Sequence, residues 1–428
     1  MGFGLQNRNG VGVGLGSLAS LLPSTQGNAF TMNLNFIGTN TLDPRITFTR
    51  ASSATYTNSA GLVASAATDA PRFDYDSVTR QPKGLLIEEA RTNLLTYSEQ
   101  FDNAAWVKQG TVTVGANVIA SPDGTVNSDK IISANADQRQ SVYVDQACSA
   151  TTTYTVSCYF KAAQYSWCYF NMSYVGTSDN YAYFDLTNGV TGYTNGQVSS
   201  ASITNFGNGW FRCTATFTTV AGQTSIRANF SAAIANNTTN IVGNGTSGLY
   251  IWGAQLEAGA FATSYIPTVA AQATRAAENA AINSTELLKF INTTDGTFLA
   301  AYATQVNTTL FRTIIAIPSG TPADIRPIYA NPSNALAIFD GTNSTSGSAF
   351  SINQNNKSAM AFGSGTGSIC LNGGSISTGT FVSPSSFATA SMYIGSRLSA
   401  VEPFNGTIRS ITYWPRRLSN AELQAVTS

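Results

Sequence analysis

The stretch Tyr165-Ser166-Trp167-Cys168-Tyr169-Phe170-Asn171-Met172 decides how this chain is read. Successive side chains of an extended strand point to opposite faces. Tyr165, Trp167 and Tyr169 then share one face, while Cys168 and Phe170 share the other and are candidate core residues. Working outward, strand-like alternation recurs at 111–118, 140–144, 153–161, 181–185, 210–218 and 248–252. Between these runs lie the turn pairs Asp123-Gly124, Asn188-Gly189, Asn195-Gly196, Asn208-Gly209 and Asn244-Gly245. Short strands separated by such turns predict an antiparallel sandwich of jelly-roll type over 94–268.

Composition agrees. Only 10% of the 428 residues are charged, far below an average soluble domain, while 43% are hydrophobic, enough to bury a core rather than leave the chain disordered. Lys+Arg and Asp+Glu balance at 22 each, so no net field draws the chain to nucleic acid. No apolar run approaches the ~20 residues of a membrane helix. The sequence contains no histidine, which removes the commonest general base and metal ligand. Four of the five cysteines, Cys148, Cys158, Cys168 and Cys213, fall in one stretch apart from Cys370. One or two disulfides or buried thiols are both open there.

The remaining organisation follows from local patterns. Residues 1–28 are Gly-rich and read as a flexible arm whose leucines can dock on another protein. Residues 29–93 carry strands too short to hold a core and are expected to form a leader module packed on the next domain. Residues 269–294 read as a linker with a short helix capped near Ser284. Alternation resumes over 295–428, a second sandwich. Ser419 with Glu422 forms a capping-box pattern that predicts a short terminal helix. The fold class is therefore all-β: tandem antiparallel sandwiches with an N-terminal arm.

Two stretches resemble modules of tailed-bacteriophage virion proteins. Phe48-Thr49-Arg50, Ser53-Ala54-Thr55-Tyr56, Pro71-Arg72-Phe73-Asp74-Tyr75-Asp76 and Gly84-Leu85-Leu86-Ile87-Glu88-Glu89-Ala90-Arg91-Thr92-Asn93-Leu94-Leu95 resemble the leader ahead of a carbohydrate-binding-like sandwich in head-spike and tail-fibre proteins. Leu249-Tyr250-Ile251-Trp252-Gly253-Ala254-Gln255-Leu256-Glu257-Ala258-Gly259 with Thr263-Ser264-Tyr265-Ile266-Pro267-Thr268 resembles its close. Phe404-Asn405-Gly406-Thr407-Ile408-Arg409, Tyr413-Trp414-Pro415-Arg416-Arg417-Leu418-Ser419 and Ala421-Glu422-Leu423 resemble the end of a laminin-G or concanavalin-A-like lectin domain. The resemblance implies a virion surface appendage that binds host cell-surface polysaccharide weakly and multivalently. Its other partners would be virion proteins reached through the arm, in a homo-oligomer with a trimer favoured. The rival reading is a structural decoration protein without glycan binding.

Aromatic rings stack on the apolar faces of sugars, so the candidate carbohydrate site is Tyr165, Trp167, Tyr169, Tyr174, Tyr181 and Tyr183, although sandwich cores also use aromatic pairs. Asp340 and Asn343 offer oxygen ligands for calcium, or a plain turn. Arg72 with Asp74 and Asp76, and Glu88 and Glu89 with Arg91, read as ties between leader and sandwich rather than catalytic groups. No carboxylates are spaced as a glycosidase pair and no short repeat marks a β-helical depolymerase, so the chain is expected not to be an enzyme.

Overall fold

The computed structural model describes residues 30–173, 179–304, 310–318, 324–383, 386–398 and 401–428. The expected arm, 1–28, lies outside them. Among the described residues the architecture is all-β with antiparallel pairing and two short helices. Alternating side-chain direction drives it: along Trp167–Ser173, Cys168, Phe170 and Met172 enter a core that also holds Phe160, Phe184 and Phe230. Two six-stranded sheets enclose that core. One runs Val198–Gly207, Trp210–Thr218, Thr153–Ala162, Gly248–Ala258, Val126–Ile132 and Thr113–Ala120. The other runs Val190–Thr194, Tyr181–Asp185, Trp167–Ser173, Ser225–Ala233, Ser141–Ala147 and Val107–Gln109.

The second sandwich is not continuous in sequence. Its long central strand, Gly406–Trp414, pairs with Gly296–Thr304 on one side; on the other it pairs with Met32–Asn35 and with Pro82–Ile87, in the registers Met32↔Tyr413 and Leu85↔Ile408. Its opposing sheet begins with Ile46–Thr49 against Asn279–Ile282, Ile46 facing Ile282. Met32, Leu34, Phe73, Leu85 and Ile87 share one buried core with Phe298, Ile314, Met392 and Tyr413. The leader's hairpin, Ala54–Thr57 with Val63–Ala66, packs on the 94–268 sandwich as its short strands suggested, Val63 bonding to Pro122, but the rest of the leader forms no module there. It completes the C-terminal sandwich, and the other sandwich is inserted between these two parts. Short strands need a sheet, and the one with free edges was some 300 residues away in sequence, as the Leu85↔Ile408 pairing shows. Gly84 makes the closeness workable: at φ +114 its missing Cβ would sit 2.2 Å from the Ile408 carbonyl oxygen.

The supposed linker is likewise structured. Ala273–Arg275 pairs with Arg91–Asn93 where the chain leaves for the inserted sandwich and returns, and Asn279–Ile282 belongs to a sheet. The helix that follows, Ser284–Leu287, is capped by Asn283, whose side chain accepts from the Glu286 N–H, one residue earlier than expected. The closing helix Asn420–Thr427 has the expected box: Ser419 Oγ accepts from the Glu422 N–H at 3.3 Å, and the Ser419 N–H donates to Glu422 at 2.7 Å.

At the crossing point the scarce charges converge. Arg72 pairs with Glu88 at 2.8 Å and Glu278 at 2.6 Å, Arg50 with Glu278 at 3.2 Å, and Arg275 with Glu88 at 3.0 Å, all of them buried. Glu88 also accepts from the Ser264 N–H and hydroxyl. Burial alone would raise the pKa of Glu88; Arg275 and Arg72, helped by Ser264, overcome it and lower it to about 2. The tie thus runs from Arg72 to Glu88, not to Asp74 or Asp76, while Glu89 does pair with Arg91. All five cysteines are free thiols; Cys168 and Cys213 lie 4.0 Å apart in the core, and burial pushes the Cys213 thiol up.

Candidate functional site

The solvent side of the Trp167–Ser173 sheet carries a second aromatic group, back to back with the core. Trp167, Tyr169, Tyr181 and Tyr183 lie there together with Ala233. Tyr169 stacks on Tyr183 with centroids 4.8 Å apart, and Tyr181 meets the pair at 5.7 and 5.9 Å. Tyr193, 39% exposed, extends the row at 6.3 Å from Tyr183. A β-sheet normally turns polar residues to water on its outer face, so such a row marks either a contact or a binding surface.

The polar neighbours are placed to orient a ligand. Asp179 accepts from the Tyr181 hydroxyl at 2.6 Å and from the Asn171 amide at 2.8 Å. Arg139 lies 5.6 Å over the Tyr181 ring and 3.8 Å from Asp179. Burial and the Asp179 hydrogen bond raise the Tyr181 pKa, so its hydroxyl stays protonated as a donor. The Tyr183 hydroxyl is buried without a hydrogen-bond partner among the described residues. Gly192 lets the indole lie down on this surface: a Cβ there would meet Trp167 at 2.7 Å and the Asn236 side chain at 2.4 Å.

The structure sorts the predicted residues. Trp167 and Tyr181 are on this face, partly exposed, at opposite ends of the paired strands: Trp167 faces Asp185 and Tyr181 faces Asn171. Tyr169 and Tyr183 share their face but are fully buried; they stack on each other, and the Tyr169 hydroxyl reaches the Thr239 carbonyl beside the ribbon Asp137–Arg139 with Asn240–Val242. They cannot present a ring to a ligand. Tyr165 does not belong to the row. It lies in the bend before the strand begins at Trp167, packs against the inserted core and bonds to the Ser133 hydroxyl. Tyr174 lies outside the described residues. Sequence reasoning missed Tyr193, although the Asn188-Gly189 turn, by folding Val190–Thr194 onto Tyr181–Asp185, was the signal that could have found it.

The calcium reading of Asp340 and Asn343 gives way to the turn. Asp340 is buried, and its carboxylate accepts from the N–H groups of Thr342, Asn343 and Val382 and from the Asn343 amide. A ring of donors suits an anion and repels a cation. Among the described residues no group of three or more acidic or cysteine side chains is placed to hold a metal.

Residues 276–424 match a laminin-G family model described as the concanavalin A-like lectin/glucanases superfamily. The match begins after the leader, so it omits the four N-terminal strands that complete those sheets. A search of curated proteins returned no match. Among solved structures, the carbohydrate-binding module CBM40 of Ruminococcus gnavus IT-sialidase bound to alpha2,3 sialyllactose is 17% identical, with TM-score 0.27, covering 32% of this chain and 83% of that one. A mutant Trypanosoma rangeli sialidase displaying trans-sialidase activity is 15% identical, with TM-score 0.30 and coverages of 35% and 26%. Trypanosoma rangeli sialidase in complex with sialic acid is 10% identical, with TM-score 0.30, over 70% and 59%. The expectation that the chain is not an enzyme is withdrawn on this finding. Sialidases and trans-sialidases stand among the similar structures.

Proposed function

We propose that this chain is a surface appendage of a tailed-phage particle that holds host glycans through the outer aromatic face of its inserted sandwich. The observation that carries the binding reading is the row Trp167, Tyr181 and Tyr193 on the solvent side of a sheet whose other face is core. Planar rings with one apolar face and polar edges suit sugar rings, and Asp179 and Arg139 at the rim suit hydroxyls. The match of 276–424 to a lectin-like model supports carbohydrate recognition as the general activity. The phage setting rests on the resemblance of the leader and closing stretches; with it come attachment through the N-terminal arm, a trimer and a place on the virion. Many copies on one particle would raise avidity without tight single sites.

The rival reading, a decoration protein whose aromatics only pack, draws on the full burial of Tyr169 and Tyr183. A glycan array probed with the intact oligomer separates the two. Binding to at least one class of bacterial surface glycan is expected, and signal no higher than background across the array would leave the decoration reading in place.

A further inference from the structure

A cleft of about 680 Å³ runs where the leader, the inserted sandwich and the C-terminal sandwich meet, within the range of small-molecule sites. It is distinct from the aromatic face. Its acids are already satisfied. Asp74 accepts from the Thr57 N–H at 2.8 Å and is approached by Lys83 at 3.4 Å. Asp76 accepts from the N–H groups of Val78 and Thr79 and from the Thr79 hydroxyl. Glu88 is locked between Arg72, Arg275 and Ser264.

Its two arginines are not. Among the described residues no carboxylate stands at ion-pair distance from Arg212 or Arg409. Arg212 donates from one Nη to Ser157 Oγ at 2.9 Å and the Thr263 carbonyl at 2.8 Å, while its Nε is buried without a partner. Arg409 donates to the Pro82 carbonyl at 3.1 Å, and burial lowers its pKa. A guanidinium has five N–H donors, and leaving it part-buried without a counter-charge is costly. Arg50, Arg72 and Arg275 are each held by a glutamate, although Arg72 and Arg275 also leave Nε without a partner, whereas Arg212 has the Tyr159 ring 5.5 Å away in place of a carboxylate. The fork of a guanidinium fits a carboxylate in two parallel hydrogen bonds. Tyr56 and Phe206 add rings, and Asn205 and Asn353 add amides suited to hydroxyls.

We propose that this cleft binds a short carboxylated oligosaccharide, its acid groups held by Arg212 and Arg409. The proposal does not depend on the aromatic face being a binding site. Calorimetric titration of the full chain with trigalacturonate and with sialyllactose, against neutral maltotriose, tests it. At least one acidic glycan should bind at least tenfold more tightly than maltotriose. Arg212→Gln, Arg409→Gln and the double variant carrying both should each weaken it tenfold or more, and Lys289→Gln, an exposed cation outside the cleft lining, should leave it unchanged. Mass spectrometry after phenylglyoxal treatment of the unmutated protein gives a second readout that needs no variant to fold: the bound acidic glycan should protect both arginines. Failure of both acidic glycans to bind, equal binding of maltotriose, wild-type affinity in the double variant, or unprotected arginines would each overturn the proposal.

Discussion

Both sandwiches carry a second apolar layer on the outside of one sheet, and they treat it differently. On the C-terminal sandwich Leu299, Ala359, Ala361 and Trp414 are roofed by Leu423 and Val426 of the closing helix, and the cluster is buried. On the inserted sandwich Tyr169 and Tyr183 are buried, while Trp167, Tyr181 and Tyr193 stay within reach of water. The first layer is aliphatic with one indole; the second is almost wholly tyrosine and tryptophan, rings that tolerate half-exposure because each has a polar edge. A roofed layer contributes stability. An open one of this chemistry is suited to contact.

The largest effect should appear where the two sandwiches join. Glu278→Ala leaves Arg50 and Arg72 short of a partner in a dry site, and should cost about 3–5 kcal/mol in chemical unfolding. The same knot sets an acid limit. Because the folded-state pKa of Glu88 is depressed from 4.5 to about 2, its contribution is complete above pH 4.5 and is lost as pH falls from there toward 2. Thermal unfolding followed across that window should show the loss, and a flat profile would contradict it.

Next comes the contrast itself. Leu423→Ala opens the roofed layer and should destabilise by about 2–5 kcal/mol, with new binding of a hydrophobic dye. Ser419→Ala removes only the cap of the roofing helix and should cost about 1 kcal/mol. Tyr193→Ala on the open layer should change stability by less than about 0.5 kcal/mol, since a half-exposed ring contributes little to packing. Equal costs for Leu423→Ala and Tyr193→Ala would erase the distinction.

Much of this was legible in the sequence. The parity of Trp167 to Phe170 gave the two faces of the strand, and the Ser419 to Glu422 spacing gave the closing helix and its cap, because both are local patterns. The partner of Met32–Asn35 was not legible. It pairs with Gly406–Trp414, and nothing in four residues names a strand that distant. For the site, alternation identified the face of Tyr169 and Tyr183 but not their burial, which depends on segments distant in sequence, such as Thr239 beside the Tyr169 hydroxyl. Tyr165 was misplaced because alternation continued in the letters past the point where the strand starts.

The central claim is that the open aromatic layer is the glycan-binding surface. It is tested most directly by titrating the best array glycan into the wild-type chain and the Trp167→Ala/Tyr181→Ala variant. The account predicts at least a tenfold weaker Kd in the variant, about 1.4 kcal/mol or more, at an unchanged Tm. Equal affinity in the two proteins would contradict it.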